Sequence, residues 1–167
     1  MMRMIRAALR GALAVLSGAC IASAAEIVAG RATVIDGDTI EIHGRRIRLF
    51  GIDAPEGAQV CLQEHGNEYR CGQKAALILQ NRIGNGVVTC ERKDTDRYGR
   101  LVASCRVYSE DLSAWMVGLG WAIALAGYTN QYQSAEKLAQ RRKAGMWAGA
   151  FQRPSEWRAE RDRSARP

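Results

Sequence analysis

Two short acidic segments hold the side chains best suited to chemistry in this sequence. Asp36-Gly37-Asp38 separates two predicted strands, and Asp53-Ala54-Pro55-Glu56 follows a third. Either segment alone is an ordinary turn sequence. If the carboxylates of Asp38 and Asp53 converge, however, they repel each other unless a proton or a cation lies between them. Carboxylate and carbonyl oxygens are the ligands of hard cations, so the pair predicts a site for Ca²⁺ or Mg²⁺.

Three further groups would complete a site that cleaves a phosphodiester with water. Such a reaction needs a base for the nucleophile, a cation beside the phosphate and positive groups that meet the charge growing on the phosphate oxygens. Glu56 directly follows the metal carboxylates and is the candidate base. Arg48 and Arg100 can each donate two hydrogen bonds to phosphate oxygens, which a lysine does poorly. Taken singly, each arginine is equally typical of an exposed strand or hairpin tip.

The elements that must position these groups are a β-rich first half and a more helical second half. Alternation of apolar and polar residues indicates strands, and apolar residues at helical spacing indicate helices. The predicted elements are strands at 27–29 and 32–35, a hairpin at 39–50, a helix at 71–83 capped by Gly84, a hairpin at 87–108 with a long charged connection at 92–100, a helical stripe at 112–119 and a helix at 134–144. Residues 158–167 are charged without an apolar period and predict a frayed tail.

The first predicted hairpin contains a geometric conflict. If it turns at Gly44-Arg45, the numbers of facing residues sum to about 89, so Asp38 lies opposite Gly51 and about 5 to 8 Å from Asp53. Strict alternation of side chains then sends Arg48 to the other face of the sheet. We therefore predict a bulge or a sharp twist within residues 48–53, which Gly51 could absorb.

The composition is that of one globular domain with an excess of basic residues. The 167 residues are 47% hydrophobic and 25% charged, which excludes a wholly disordered or collagen-like chain. Residues 1–24 contain three arginines, an apolar run and a small-residue ending, typical of a secretory signal; a lipoprotein signal ending at Cys20 is the alternative. No apolar run is long enough to span a bilayer. Removal of residues 1–24 lowers the net charge from +7 to +4, which still favours anionic partners.

Four cysteines follow the predicted signal, an even number that an oxidising compartment would pair. Three pairings are possible, and nearest neighbours are the simplest: Cys61 with Cys71 across a polar loop, and Cys90 with Cys105 across two antiparallel strands. Reduced thiols in a cytosolic protein are the alternative, whereas the spacing of a zinc site is missing. We therefore expect an exported protein, either periplasmic or secreted.

Three blocks of the sequence resemble the signature segments of the staphylococcal nuclease family, in order and in spacing. The blocks are Val34-Ile35-Asp36-Gly37-Asp38-Thr39, Arg48-Leu49-Phe50-Gly51-Ile52-Asp53-Ala54-Pro55-Glu56 and Thr95-Asp96-Arg97-Tyr98-Gly99-Arg100. The resemblance covers roughly residues 27–148. It implies an α+β fold, a five-stranded OB-type β-barrel flanked by about three helices. The domain would occupy residues 25–150, followed by a charged tail at 151–167.

The resemblance also implies a function. The family's members are Ca²⁺-dependent nucleases that act on DNA and RNA and leave 3′-phosphate ends, and we expect a preference for single strands. Carried over by position, Asp38, Asp53 and the main-chain carbonyl of Ala54 would hold the cation. Arg48 and Arg100 would bind the phosphate in the transition state, and Glu56 would be the general base.

Substrate-binding positions are matched only in part. Arg97 and Tyr98 match positions that contact a terminal phosphate in the family. Of the two tyrosines that line the family's nucleotide pocket, one is matched by Tyr128, whereas Ala126 stands at the other place. Base stacking is therefore expected to differ in this protein. Ala54 replaces a threonine of the best-known member, which a main-chain contact tolerates.

Two other functions remain open on the sequence. Some domains of this fold lack the acidic and arginine residues and serve as nucleic-acid- or protein-binding modules. A secreted structural or adhesive protein would explain the disulfides but not the charged residues. Because a pure binding module has no reason to retain the whole set, we expect an enzyme. We also expect it to be a monomer. The set comprises Asp38, Arg48, Asp53, Glu56 and Arg100.

Overall fold

The computed structural model describes residues 26–165. The predicted signal at 1–24, with Cys20, lies outside this range. The strands are β1 (Ile27–Gly30), β2 (Thr33–Asp36), β3 (Thr39–Ile42), β4 (Arg45–Leu49), β5 (Ile52–Asp53), β6 (Cys61–Leu62), β7 (Glu68–Tyr69), β8 (Val88–Thr95), β9 (Leu101–Val107), β10 (Glu110–Asp111) and β11 (Ile123–Ala124). The helices are α1 (Cys71–Ile83), α2 (Leu112–Gly118), α3 (Gln133–Arg141) and α4 (Pro154–Ser164), with a 3₁₀ turn at Gly145–Ala148.

The main sheet is curled into a barrel. Its strand order is β1-β8-β9-β4-β3-β2, with β10 added beside β9, and the β4–β9 pair is parallel. The two edge strands, β1 and β2, are consecutive in the chain and separated only by residues 31 and 32. The two edges of the sheet are therefore formed by one segment of chain, residues 27–36, with a short break in the middle. This segment holds the two edges close together, so the sheet must curl. Counted this way the barrel has five strands, so the predicted α+β fold with an OB-type barrel is confirmed.

The core lies between the barrel and its helices. Alternate residues of β3 and β4 point inward, and α1 contributes an apolar face that includes Ala75, Leu79 and Ile83. These side chains are at most 2% exposed. The predicted start of α1 and its end before Gly84 are confirmed, and α2 and α3 correspond to the other two predicted helical segments.

The register of the first hairpin differs from the prediction. Ile42 faces Arg45 and Thr39 faces Arg48, so Asp38 lies beside Leu49 rather than opposite Gly51. The cause is a tight two-residue turn in which both His43 and Gly44 have positive φ, of 52° and 76°. A turn of this kind matches the twist of the strands. It moves the centre of the hairpin by one residue and each facing partner by two.

The second hairpin is longer than predicted. Strand β8 continues to Thr95, so the connection to β9 is shortened to residues 96–100, and the expected charged connection at 92–100 is wrong in its extent. The side chains of residues 91–95 are exposed, which leaves no apolar alternation to mark them as strand. A register shift between Arg92 and Asp94 accompanies this segment.

Both predicted disulfides are formed. Cys90 and Cys105 face each other directly across β8 and β9, and Cys61 is joined to Cys71 at the start of α1. Disulfides of this kind are typical of exported proteins. Within residues 26–165, no helix is both long and apolar enough to cross a membrane.

The charged C-terminal segment forms a helix, α4, so the prediction of a frayed tail is wrong. Pro154 occupies the first turn and is buried, and the Gln152 side chain donates a hydrogen bond to the Glu160 carboxylate at 2.9 Å. Trp157 and Arg158 are half-buried against the rest of the molecule. These contacts are tertiary, and the segment has no apolar residues at helical spacing from which they could be predicted.

Candidate active site

The carboxylates of Asp38 and Asp53 are held at one edge of the barrel. Asp38 lies in the turn between β2 and β3, and Asp53 ends β5, where it faces Ile123 of β11. Both residues are buried, with 3% and 1% of their surface exposed. Burial of two ionisable carboxylates is costly unless positive groups accompany them.

Arg48 provides the positive group between these two carboxylates. Its Nη1 donates to Asp38 Oδ1 at 2.9 Å, and its Nη2 donates to Asp53 Oδ1 at 2.7 Å. Asp38 precedes β3, so its side chain does not have to follow the alternation of side chains between the two faces of that strand. The predicted separation of Asp38 from Arg48 therefore does not arise. The chain bends at Gly51, where φ is +75°, and leaves the main sheet so that β5 pairs with β11 instead. A bulge or sharp twist was predicted within residues 48–53; the structure has a turn at Gly51 instead of a bulge in the strand.

Further hydrogen bonds orient Asp38. The Ala54 backbone N–H donates to Asp38 Oδ2 at 2.9 Å, and the Thr39 hydroxyl donates to Oδ1 at 3.0 Å. The predicted metal residues Asp38, Asp53 and Ala54 are therefore neighbours.

Glu56 is positioned by the start of α1 and by a buried glutamine. A β-carbon on Gly72 would overlap the Glu56 carbonyl, so the helix can approach this loop only because residue 72 is glycine. The fully buried Gln59 accepts a hydrogen bond from the Glu56 backbone N–H at 3.3 Å and donates to the Gln152 carbonyl at 2.7 Å. The Glu56 side chain keeps 30% of its surface exposed, so it can meet solvent.

Arg158 of α4 joins Glu56 to Asp53 and is the residue that sequence reasoning missed. Its Nη1 donates to Asp53 Oδ1 at 3.0 Å and to Glu56 Oε1 at 2.6 Å, and its Nη2 donates to Asp53 Oδ2 at 3.1 Å. We call Asp38, Asp53 and Glu56 the carboxylate cluster. Two guanidinium groups, those of Arg48 and Arg158, are bound to it. The proline at the start of α4 was a helix signal in the sequence, but no local signal indicated the partners of Arg158.

Arg100 does not contact the carboxylate cluster. Its Nε donates to Asp96 Oδ2 at 2.7 Å, and the backbone N–H groups of Tyr98 and Arg100 donate to Asp96 Oδ1. Arg100 immediately precedes β9, whose residue Val102 is the parallel partner of Arg48. Arg100 is therefore one strand away from Arg48 across the sheet and two residues away along the strand direction. These two displacements put the Cα atoms about 8 Å apart, close enough for both long side chains to reach one phosphate.

The predicted substrate-binding residues lie on exposed loops. Tyr98 is 69% exposed. The guanidinium groups of Arg97 and Arg100 lie over its ring, 4.8 Å and 5.6 Å from the ring centre. Tyr128 is 68% exposed, in a turn whose residue Leu125 donates from its backbone N–H to the Gly51 carbonyl.

The electrostatics of the cluster depend on burial and ion pairing together. Burial raises the pKa of Asp38 to about 7, although Arg48 acts in the opposite direction. Burial tends to lower the pKa of Arg48, but attraction to Asp38 and Asp53 outweighs it and raises that pKa. Burial also opposes the charge of Arg158, and hydrogen bonds to Asp53 and Glu56 raise its pKa above the usual range. Both guanidinium groups therefore stay charged, and positive charge beside Asp38 favours its ionised form.

The donor set fits a hard divalent cation. Asp38 and Asp53 present buried carboxylate oxygens, the adjacent Ala54 can add a main-chain carbonyl, and oxygen-only ligation suits Ca²⁺ or Mg²⁺. In the part of the chain that the structure describes, no three His, Cys, Asp or Glu side chains are already arranged around a metal position. Instead, the guanidinium groups of Arg48 and Arg158 lie between the carboxylates.

The fold and the site together define an OB-type barrel protein with a cluster of paired, largely buried charges at its edge. Residues 46–149 match the family model described as Staphylococcal nuclease homologue. This match covers more than half of the chain, so the chain belongs to the staphylococcal nuclease family, as the three sequence blocks predicted.

Curated relatives agree with this membership. The chain is 41% identical over 105 residues to "Succinoglycan biosynthesis protein ExoI" of Rhizobium meliloti (strain 1021), covering 61% of this chain and 55% of the relative. It is 35% identical over 127 residues to "Probable endonuclease LCL3" of Saccharomyces cerevisiae (strain RM11-1a), covering 67% and 44%. A protein of the same name from Scheffersomyces stipitis is 32% identical over 115 residues, covering 61% and 47%. The chain spans about half the length of these relatives.

Proposed function

We propose that this protein is an exported nuclease that hydrolyses phosphodiester bonds of DNA and RNA with the help of a divalent cation, preferentially Ca²⁺. The observation that carries the proposal is the convergence of the buried Asp38 and Asp53 carboxylates on one guanidinium group, with Glu56 joined to Asp53 through another. Family membership and the endonuclease name of the yeast relatives support the same chemistry.

The cation would be held by Asp38, Asp53 and the carbonyl of Ala54. When bound, it supplies Lewis-acid polarisation of the phosphate and neutralises part of its charge. The rigid hydrogen bonds to Asp38 from Ala54 and Thr39 support this role, because they fix the carboxylate before the ligand arrives.

Glu56 would act as the general base. Its carboxylate takes a proton from a water molecule whose oxygen forms a bond to phosphorus. The bond from phosphorus to the 5′ oxygen breaks, that oxygen takes a proton from solvent water, and the phosphate remains on the 3′ side. Glu56 then returns the proton it accepted to solvent. The partial exposure of Glu56 beside two buried carboxylates supports this assignment, because a base must reach water.

Arg48 and Arg100 would stabilise the charge that develops on the phosphate oxygens. The Nη1 and Nη2 atoms of Arg48 donate to Asp38 and Asp53. The guanidinium has further N–H groups that could donate to a phosphate oxygen. Arg100 can exchange its Asp96 contact for a phosphate without moving its backbone, because two backbone hydrogen bonds keep the Asp96 turn in place. Two guanidinium groups on one phosphate act mainly in the transition state.

The exposed aromatic residues would receive the polynucleotide. Arg97 and Tyr98 are proposed to contact a terminal phosphate, and Tyr128 a base, with Ala126 providing no second stacking partner. Exposed rings suit unpaired bases, which supports a preference for single strands.

Residues 1–24 would be a secretory signal, 25–150 the nuclease domain and 151–167 an appended charged segment. Two disulfides support export to the periplasm or the medium. We propose that the mature protein is a monomer.

A non-catalytic binding module is the second candidate function, and the burial of Asp38 and Asp53 argues against it. A binding surface for nucleic acid gains nothing from two buried carboxylates. The name of the Rhizobium relative refers to succinoglycan biosynthesis in that organism and specifies no reaction for these residues.

The test is incubation of the purified mature protein with single-stranded DNA and RNA in Ca²⁺, with and without chelator, followed by end-group analysis of the products. We expect cation-dependent cleavage that leaves 3′-phosphate ends. Polynucleotide that remains intact in Ca²⁺, Mg²⁺ and Mn²⁺ would leave the binding module as the better account.

A further inference from the structure

Arg158 uses the oxygens that a cation at the carboxylate cluster would need. Both oxygens of Asp53 accept hydrogen bonds from Arg158, and Oδ1 accepts a second one from Arg48. The Glu56 Oε1 atom accepts from the same Nη1 of Arg158. A carboxylate has about four lone-pair sites. The planar guanidinium of Arg158 occupies the sites of Asp53 and Glu56 that a cation bound to both residues would use.

A guanidinium group and a divalent cation on the same carboxylate oxygens exclude each other. Both are positive, so they repel at short distance, and each needs the lone pairs that the other uses. With Arg48 and Arg158 in place, two positive charges already offset two of the three negative charges that the cluster carries when it is fully ionised. Arg48 lies on a barrel strand, whereas Arg158 lies on a peripheral helix, so Arg158 is the group that can leave.

Helix α4 is weakly attached beyond its first turn. Pro154 is buried and Trp157 is half-buried, but residues 159–164 are exposed. Beyond the first turn, the helix is held by the Arg158 ion pairs and by the hydrogen bond from Gln152 to Glu160. Elements with few buried contacts open at low free-energy cost.

The segment before α4 is anchored firmly and provides a pivot. Ala150 and Leu62 exchange backbone hydrogen bonds at 2.8 and 3.1 Å, and the buried Gln59 side chain donates to the Gln152 carbonyl. Movement of α4 would therefore occur after residue 152, without disturbing the loop that carries Glu56.

We propose that Arg158 is a tethered competitor of the divalent cation, and that α4 closes the carboxylate cluster until a cation displaces it. The inference rests on the proposed function only for the identity of the cation, and it adds a property that the proposed function does not require. The cluster exchanges between a closed state, in which Arg158 holds Asp53 and Glu56, and an open state that binds the cation.

The exchange has two linked consequences. The apparent dissociation constant of the cation equals the intrinsic constant divided by the fraction of open molecules, so removal of Arg158 tightens binding. By linkage, cation binding loosens α4 to the same extent. A purely structural Arg158 has neither effect.

The first experiment measures Ca²⁺ binding to the mature protein by calorimetry without nucleic acid. Arg158→Gln is compared with wild type and with Arg163→Gln, which makes the same charge change on an exposed residue of α4. We expect Arg158→Gln to bind Ca²⁺ about tenfold to a hundredfold more tightly, the range for charge-assisted hydrogen bonds, and Arg163→Gln to match wild type. Equal affinity in the Arg158 and Arg163 variants would overturn the proposal.

The second experiment uses the unmodified protein, so it does not depend on the folding of a variant. Amide hydrogen exchange of residues 157–164 is measured by mass spectrometry with Ca²⁺ and with chelator. We expect faster exchange in Ca²⁺, and in Arg158→Gln we expect fast exchange under both conditions. Unchanged or slower exchange of wild-type α4 in Ca²⁺ contradicts the release of the helix.

Parallel assays of DNA cleavage separate this inference from the proposed function. Cleavage in Ca²⁺ together with an affinity that Arg158→Gln does not alter leaves the nuclease intact and overturns the competition. Tighter Ca²⁺ binding by Arg158→Gln without cleavage of any polynucleotide supports the competition and contradicts the nuclease. Absence of Ca²⁺ binding in every variant overturns both.

Discussion

Arg158 and Asp53 form a two-pronged ion pair, with Nη1 3.0 Å from Oδ1 and Nη2 3.1 Å from Oδ2, although they are 105 positions apart in the sequence. Asp53 is almost completely buried and belongs to the barrel, whereas Arg158 is 38% exposed and belongs to the last helix. The pair therefore links the most enclosed carboxylate of the site to the least enclosed helix of the fold.

Replacement of Glu56 by Gln should lower kcat by about two to four orders of magnitude, because it removes proton transfer while preserving size. Binding of single-stranded DNA should change little, since Arg48 and the exposed loops are untouched. Single-turnover cleavage and a separate binding titration measure the two effects. Glu64→Gln, on an exposed loop residue paired with Lys143, is the matched control and should cleave like wild type. An unchanged kcat in Glu56→Gln would reject Glu56 as the base.

Replacement of Arg100 by Ala should lower kcat more than it raises KM, because the guanidinium is proposed to act on charge that develops in the transition state. Arg100→Lys should restore little of the rate, since lysine lacks the planar fork. Arg97→Ala is the control, because Arg97 stacks on the same Tyr98 ring without the predicted role in the transition state. A change in KM alone for Arg100→Ala would assign this residue to substrate binding only.

Replacement of Gly51 by Ala should destabilise the fold by more than replacement of Gly44. Both glycines have φ near +75°, which costs an L-residue about 1 to 2 kcal/mol. A β-carbon at Gly51 would also lie 2.6 Å from Thr129 Cγ2 and 2.9 Å from Tyr132 Cε2, whereas at Gly44 it meets nothing within 4 Å. Denaturant unfolding compares the two variants. Equal losses would mean that the packing around Gly51 can adapt without cost.

Removal of the Cys61–Cys71 disulfide by Cys61→Ser and Cys71→Ser together should lower the free energy of unfolding by about 2 to 3 kcal/mol, from the greater entropy of the open loop. Residues 57–70 should also become more sensitive to proteolysis. Thermal and denaturant unfolding of the double variant under oxidising conditions measure the change. Wild type treated with a reductant should lose more stability than the double variant, because the reductant also opens the Cys90–Cys105 disulfide, and a smaller loss would point to the serine substitutions themselves.

The sequence predicted those features that depend on neighbouring residues. The pairing of Cys90 with Cys105 requires only that two strands of one hairpin face each other, and α1 ends at Gly84 as its apolar face predicted. The irregularity predicted within residues 48–53 followed from strict alternation, which would separate Arg48 from Asp38 and Asp53, and the chain turns at Gly51. Each of these inferences uses contacts made over short distances along the chain.

The sequence was less informative wherever local geometry had more than one solution. The first hairpin is shifted by two in register because His43 adopts a positive φ, which a non-glycine residue does only in a few per cent of cases. Strand β8 extends through exposed, charged residues that carry no alternating pattern. In both places the tertiary arrangement of the strands decided between alternatives of similar local energy.

The sequence by itself determined the chemical inventory of this protein: which residues are carboxylates and guanidinium groups, and which hairpin brings Asp38, Arg48 and Asp53 close together. Only the tertiary structure decided that Arg158 lies against Asp53 and Glu56. The reason is physical: helix α4 has almost no apolar face, and the ion pairs that help to hold it against the barrel have partners about one hundred residues away. An interaction between charges so distant in the chain leaves no periodic pattern in either segment.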